Sequence, residues 1–326
     1  MTVTTPARPA GPSRLFADLD VEVDLAEPLG RRTWFGAGGA ADALVRPRTV
    51  DALASLVRRC RRDDIPVRVL GSGANLLVDD EGVDGVVVLL DQPAFTRVEF
   101  NADGLVDRMR VFGGARLEPL IHDCARRGLR GIEQMSGIPS SLGGAIRMNA
   151  GGRFGAIGDS VDAVAVLGLD GEIRVLRRDE IAFGYRETDL PRGIVLWAVL
   201  RVEETDPVLC RDRVKEIFAY KKSTQPMSAS SAGCMFRNPL LPNGTRESAG
   251  RLIDLAGLKG RRVGAAFVSP EHGNFLAFDA KAGAPARTDD LRALVDEVRE
   301  GVRRHAGIEL ETEVVFWRRG EGSDRL

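Results

Sequence analysis

Leu53, Leu56, Val57 and Cys60 recur at helical spacing and predict a helix over Val50–Arg62, with Thr49 as its N-cap. Pro66 closes that region, and Val67–Leu70 reads as a strand running into Gly71-Ser-Gly-Ala-Asn75. Leu76–Val78 follows, then an acidic turn at Asp79–Glu81 and a strand over Gly85–Leu90. The pattern loosens between Gln92 and Asp103, which marks a boundary. A second α/β unit opens with a strand at Arg110–Phe112. Its helix is striped by Leu117, Leu120, Ile121 and Cys124 and stops at Gly128. Short strands are expected over Val161–Leu167, Ile173–Leu176 and Val195–Val202. A third unit begins near Val214 with a helix carrying Ile217 and Phe218. Its clearest element is a helix capped by Thr288, lined by Leu291, Leu294, Val295, Val298 and Val302, and ended by Gly307. Alternation over Glu309–Phe316 predicts a last strand, with Glu309, Glu311 and Glu313 on one face and Leu310, Thr312, Val314 and Phe316 on the other.

Bulk properties narrow the possibilities. A chain of 326 residues with 44% hydrophobic content has room for two or three domains. The formal charge of −1 gives no reason to expect a nucleic-acid partner. Arg58-Arg-Cys-Arg-Arg62 reads as a solvated helix end, since Asp63 and Asp64 follow it directly. Cys60, Cys124, Cys210 and Cys234 are widely separated, so neither a zinc site nor any other metal site is indicated, and reduced thiols are expected. Met1–Ser13 lacks an apolar run and reads as a disordered lead, here taken as residues 1–20. No apolar run approaches the roughly 20 residues of a membrane span.

Two glycine loops carry candidate chemistry. Gly36-Ala-Gly-Gly-Ala-Ala41 follows Arg31-Arg-Thr33 and not a buried strand, so it is a poor dinucleotide fingerprint. Gly71–Asn75 follows a strand but leads into Leu-Leu-Val-Asp-Asp instead of a helix. It offers either a plain tight turn or a nest of N–H groups for a pyrophosphate. The segment Gly131–Gly151 sets five glycines and Pro139 among Ile138, Leu142, Ile146 and Met148. It reads as a tight turn between core strands, or as backbone brought against something large, flat and partly apolar, such as a flavin ring.

Together with Thr33–Gly39 and Val69–Val78, that segment begins a series of motifs. The others are Phe183–Arg186, Thr224–Pro226, Ser231–Pro239, Ala256–Gly260, Val268–Phe275 and Leu310–Val314. Over most of its length, the chain resembles the UDP-N-acetylenolpyruvoylglucosamine reductases. The resemblance implies an α/β (α+β) chain with a vanillyl-alcohol-oxidase-type FAD-binding fold of two α/β subdomains, at residues 21–95 and 96–212. An α+β substrate domain at 213–326 would complete it. The implied reaction reduces UDP-GlcNAc-enolpyruvate to UDP-MurNAc with FAD and NADPH, in the cytoplasm, during peptidoglycan synthesis, by a monomer.

By the same resemblance, FAD contacts fall on Gly71, Ser72, Gly73, Ala74, Asn75 and Leu76, and on Gly137, Ile138, Ser140, Gly143, Gly144, Arg147, Asn149, Ala150 and Gly151. Arg186 would stabilise the developing enolate, Cys234 would give the proton, and Glu313 would polarise the substrate carboxylate. The strand pattern does not choose between Glu311 and Glu313; the match to Glu-Val selects Glu313. Cys234 stands where most relatives carry serine. Outside the resemblance, Arg186 reads as a surface ion pair and Cys234 as a small buried apolar residue. Tyr185, Gln225, Arg237 and Asn238 would grip the substrate. Lys221 and Lys222 would either neutralise the diphosphate or be solvated at a helix end. Another flavin oxidoreductase of this fold, or a catalytically silent flavin- or nucleotide-sugar-binding paralogue, is the alternative.

Overall fold

The computed structural model describes residues 12–226, 230–279, 281 and 283–321. Four apolar clusters organise the described residues, and three of them are fed by an amphipathic helix. In the first unit, β1 (Val21–Pro28) pairs antiparallel with β2 (Ala40–Pro47). The helix α1 (Val50–Arg62) then crosses over to β3 (Val67–Leu70), followed by β4 (Leu76–Val78) and β5 (Val83–Leu89). β5 lies parallel between β2 and β3, giving the order β1-β2-β5-β3. Thr49 caps α1 as expected, its hydroxyl accepting from Ala52 N at 3.1 Å. Leu53, Leu56 and Val57 are buried against both this sheet and Leu167, Ile194 and Leu196 of the next.

The second sheet is antiparallel throughout. It uses β6 (Val98–Phe100), β7 (Arg108–Phe112), β8 (Val161–Gly168), β9 (Ile173–Arg177) and β10 (Gly193–Arg201) in the order β9-β8-β10-β7-β6. α2 (Leu117–Arg127) covers it and ends at Gly128, whose φ of 70° supplies the left-handed cap. α3 (Leu142–Arg147) is the short helix inside the glycine-rich segment. α4 (Pro207–Thr224) packs on α2, burying Cys210 and Val214 in the same cluster as Leu120.

The third unit holds α5 (Ala249–Leu255), a small sheet of β11 (Arg262–Val263), β12 (Ala266–Val268) and β13 (Leu276–Phe278), and α6 (Thr288–Ala306). Finally β14 (Val315–Trp317) returns to the first unit and pairs parallel with β4, Val315 opposite Leu76 and Trp317 opposite Val78.

Several expectations need correction. The lead is shorter than residues 1–20: Pro12–Leu15 is a helical turn, Leu15 is buried, and Arg59 donates to Leu15 O. Residues 1–11 lie outside the described residues. The helix expected near Val214 starts at Pro207 and shares the second unit's core, so a division at 212/213 would cut through α4. Thr288 is not a cap. It is the first residue of α6, fully buried, and its N–H donates to both oxygens of Asp80 at 3.1 and 3.0 Å. Glu309–Val314 is not a regular strand either, because its hydrogen bonds go sideways to other segments: Arg237 N donates to Glu311 O (2.9 Å) and Glu313 N to Met235 O (2.8 Å). β1 and β2 were not foreseen.

Candidate active site

The two glycine loops meet. Ser72 Oγ donates to Pro139 O at 2.9 Å, and a Cβ placed on Gly71 would lie 2.7 Å from Ser141 Oγ. Gly73 has φ +67°, and a Cβ there would be driven into Arg32 O, so only glycine fits. The N–H groups of Ser72, Gly73 and Ala74 have no acceptor among the described residues. Three successive free donors can serve a dinucleotide pyrophosphate as an anion nest. A cleft of about 340 Å³ lined by Arg31, Arg32, Thr33, Trp34, Leu70, Gly71, Ser72 and Leu89 opens beside it. The residues present therefore fit a flavin adenine dinucleotide.

The Gly131–Gly151 segment divides its labour. Ser141 caps α3, its hydroxyl accepting from Gly144 N at 3.4 Å. Gly143 N donates to Gly113 O at 2.8 Å, a close approach that leaves a Cβ only 3.1 Å from the same oxygen. Gly137, at φ +71°, faces Phe218 and Lys221 of α4, and Ile138 packs at the core's edge. Ser140 Oγ donates to Ser141 O. Ala150 and Gly151 lead into a two-residue hairpin strand packed on Ala156.

Two members of the segment are held by other work. Arg147 donates to Leu190 O, Pro191 O and Gly193 O, and burial without a counter-charge lowers its pKa to about 10. Its guanidinium fixes the loop before β10. Asn149, at φ +39°, bridges Gly184 O and Gly158 N through its two amide atoms. Both expected flavin contacts are thus engaged with the protein's own backbone.

Arg186, Cys234 and Glu313 converge from three distant parts of the chain. Arg186 sits in the turn of the hairpin formed by Phe183–Gly184 and Glu187–Thr188, at φ +61°, which is costly for a residue with a Cβ. Its Nε donates to Glu313 Oε1 at 2.8 Å. Arg237 Nη2 donates to Arg186 O (3.3 Å), holding the turn from outside. Burial pushes the Glu313 carboxyl up, while Arg186 and Arg237 oppose the rise. Glu311, by contrast, is exposed.

Cys234 lies opposite Phe275 in an isolated antiparallel bridge. Burial, then the Glu313 charge, push its thiol up to about 12, against Arg186 and the Asn274 side chain. It is therefore fully protonated at neutral pH. The other three cysteines are buried and unpaired.

Of the other expected substrate residues, Tyr185, Arg237 and Asn238 border this cluster. Tyr185 accepts from Asn238 N at 3.3 Å and carries the Arg246 guanidinium 4.0 Å above its ring. Asn238 Oδ1 accepts from Ala249 N at the start of α5. Gln225 closes α4, partly buried. Lys221 is buried, donates to Ser136 O, and has its pKa lowered to about 8 by burial and then by Arg186; Lys222 is exposed. One residue escaped the sequence reading: Asn274 is 2% exposed, its Oδ1 accepting from Phe236 N (2.9 Å) and its Nδ2 donating to Phe236 O (2.8 Å). An asparagine between His272-Gly273 and Phe275 was its only signal.

No group of metal-ligating side chains occurs among the described residues, and none of their helices is long and apolar enough to cross a membrane. Residues 41–177 match the family model described as FAD binding domain, and residues 225–317 the C-terminal domain of UDP-N-acetylenolpyruvoylglucosamine reductase. The chain is 38% identical over 309 residues to the UDP-N-acetylenolpyruvoylglucosamine reductase of Moorella thermoacetica, covering 94% of this chain and 97% of that one. The Bacillus subtilis enzyme of the same name is 37% identical over 291 residues, 88% and 91% of the two chains. Among solved structures, the Thermus caldophilus UDP-N-acetylenolpyruvylglucosamine reductase superposes with a TM-score of 0.75 at 39% identity. That superposition covers 91% of this chain and 98% of that one.

Proposed function

This chain belongs to the UDP-N-acetylenolpyruvoylglucosamine reductase family, and from that membership we propose how its own residues serve the reaction. The reaction is the NADPH-dependent reduction of UDP-GlcNAc-enolpyruvate to UDP-MurNAc, a step of peptidoglycan synthesis. Bound FAD supplies the route by which hydride passes from NADPH to the substrate alkene.

The nest at Ser72, Gly73 and Ala74 holds the FAD pyrophosphate, and the Gly137–Gly144 stretch forms a wall of the flavin pocket. Asn75 and Leu76 carry that loop into β4. Arg186 lies against the substrate carboxylate, where its planar, permanently charged fork stabilises the negative charge that develops as hydride adds to one alkene carbon. Glu313, with its carboxyl raised by burial, shares a hydrogen bond with the same carboxylate. Cys234 gives its proton to the adjacent carbon. A thiol kept protonated through the neutral range is loaded for that step. Tyr185, Gln225, Arg237 and Asn238 bind the nucleotide sugar, with Lys221 beside them. The enzyme works as a cytoplasmic monomer.

The observation that carries this reading is the convergence of Arg186, Glu313 and Cys234. The test is NADPH oxidation by the purified protein with and without UDP-GlcNAc-enolpyruvate, together with flavin absorbance. Absence of flavin would defeat the reading outright. Flavin without substrate-dependent turnover would make the chain a silent paralogue. Cys234→Ala should still allow flavin reduction by NADPH and stop product formation; equal loss of both half-reactions would remove Cys234 from proton transfer.

A further inference from the structure

We propose that the Nδ2–H of Asn274 donates to the Cys234 sulfur and stabilises the thiolate left when that residue gives up its proton. The inference rests on the proton-donor reading of Cys234.

The placement follows from the backbone. Cys234 and Phe275 face each other in an antiparallel bridge, and Met235 N donates to Asn274 O at 2.8 Å. Asn274 is locked beyond rotation. Its Oδ1 takes Phe236 N, its Nδ2 gives one proton to Phe236 O, and its own N–H reaches His272 Nδ1 at 3.2 Å. A primary amide has two N–H bonds. The second is left for the neighbouring Cys234 thiol, whose ionised form the Asn274 side chain favours.

In the step, the S–H bond breaks with its electron pair left on sulfur, and the enolate pair forms the new C–H bond. Glu313 opposes negative charge on the sulfur and Arg186 favours it. Arg237 faces Glu313, and His272, held neutral by burial, lies behind the amide. Asn274 adds an uncharged donor to this set. It can steady the thiolate without drawing the substrate carboxylate away from Arg186.

The test uses the holoenzyme. Cys60, Cys124 and Cys210 are at most 5% exposed, so alkylation by iodoacetamide reads Cys234. In Asn274→Leu, the alkylation rate at fixed pH should fall about tenfold, as expected when a thiolate loses a charged hydrogen bond. Product formation should slow by a similar factor, while flavin reduction by NADPH stays unchanged. An unchanged alkylation rate, or equal loss in both half-reactions, would overturn the proposal. A second measurement avoids disturbing the fold at Asn274. In Cys234→Ala, one Nδ2 proton resonance of Asn274 should move and the other, bonded to Phe236 O, should stay; two unmoved resonances would also overturn it. If Cys234→Ala still forms product at the normal rate, the proton-donor reading itself fails, whatever Asn274 does.

Discussion

Arg186 reaches across 127 residues of chain to donate through Nε to Glu313 Oε1 at 2.8 Å. The bond aligns a permanent cation with a carboxyl that burial pushes toward its neutral form. It also leaves the guanidinium's Nη groups available to a second carboxylate. Arg186→Lys keeps charge but loses the fork. It should lower kcat by about 10²–10³-fold, the cost of one oxyanion donor. Glu313→Gln should lower it comparably, and the double variant should be far less impaired than the product of the two. Stopped-flow rates of the half-reaction that forms product check this; simple multiplication of the two losses would count against a shared role.

Gly73→Ala probes the flavin nest. At φ +67° and with Arg32 O in the way, the added methyl must move backbone. Strain of this kind costs about 1–3 kcal/mol. The purified variant should carry clearly less flavin per chain, read as the ratio of flavin to protein absorbance. Ser72→Ala, which removes one neutral hydrogen bond to Pro139 O, should cost only about 1 kcal/mol and keep most of the flavin.

Lys221 makes stability depend on pH in a predictable direction. Its folded pKa of about 8 lies below the ordinary lysine value of 10.5, so between those values the unfolded chain binds more protons. Folding stability contributed by this group therefore rises as pH climbs through 8 and levels off above 10.5. Denaturant unfolding of wild type and Lys221→Met should show a difference that moves in favour of wild type over that window, by up to about 3 kcal/mol. A difference that is flat with pH would mean Lys221 is not desolvated.

Asp80 caps a helix that begins 208 residues later. Asp80→Ala should cost about 0.5–2 kcal/mol, the usual value of a lost N-cap, and lower Tm by a few degrees. Asp80→Asn, which keeps an acceptor oxygen, should recover most of the loss. Thermal unfolding of the three proteins side by side decides it.

What could be read from sequence was what is decided locally. Thr49 caps its own helix, and Gly128 and Gly307 end theirs in left-handed geometry. These depend on neighbours within one turn. Thr288 misled because the acceptor at that helix end comes from Asp80, and nothing near Thr288 announces it. Glu309–Phe316 alternates like a strand, yet most of it bonds to Met235, Arg237 and Asn75 in place of a regular ladder. Arg186, Cys234 and Glu313 were marked by motif, while their meeting is a product of the fold. Asn274 was passed over because a buried amide clamped to main chain leaves no periodic signal.

The pairing of β14 with β4 has a consequence for timing. Asn75 Nδ2 donates to Glu313 O at 3.1 Å, and Val315 N donates to Asn75 O. The loop proposed to hold the cofactor and the carboxyl proposed to hold the substrate thus share one short stretch of hydrogen-bonded backbone. On the ribosome, the first partner emerges some 240 residues before the second. The cofactor nest can be built early, but the acid that would make it a reductase arrives only when β14 docks.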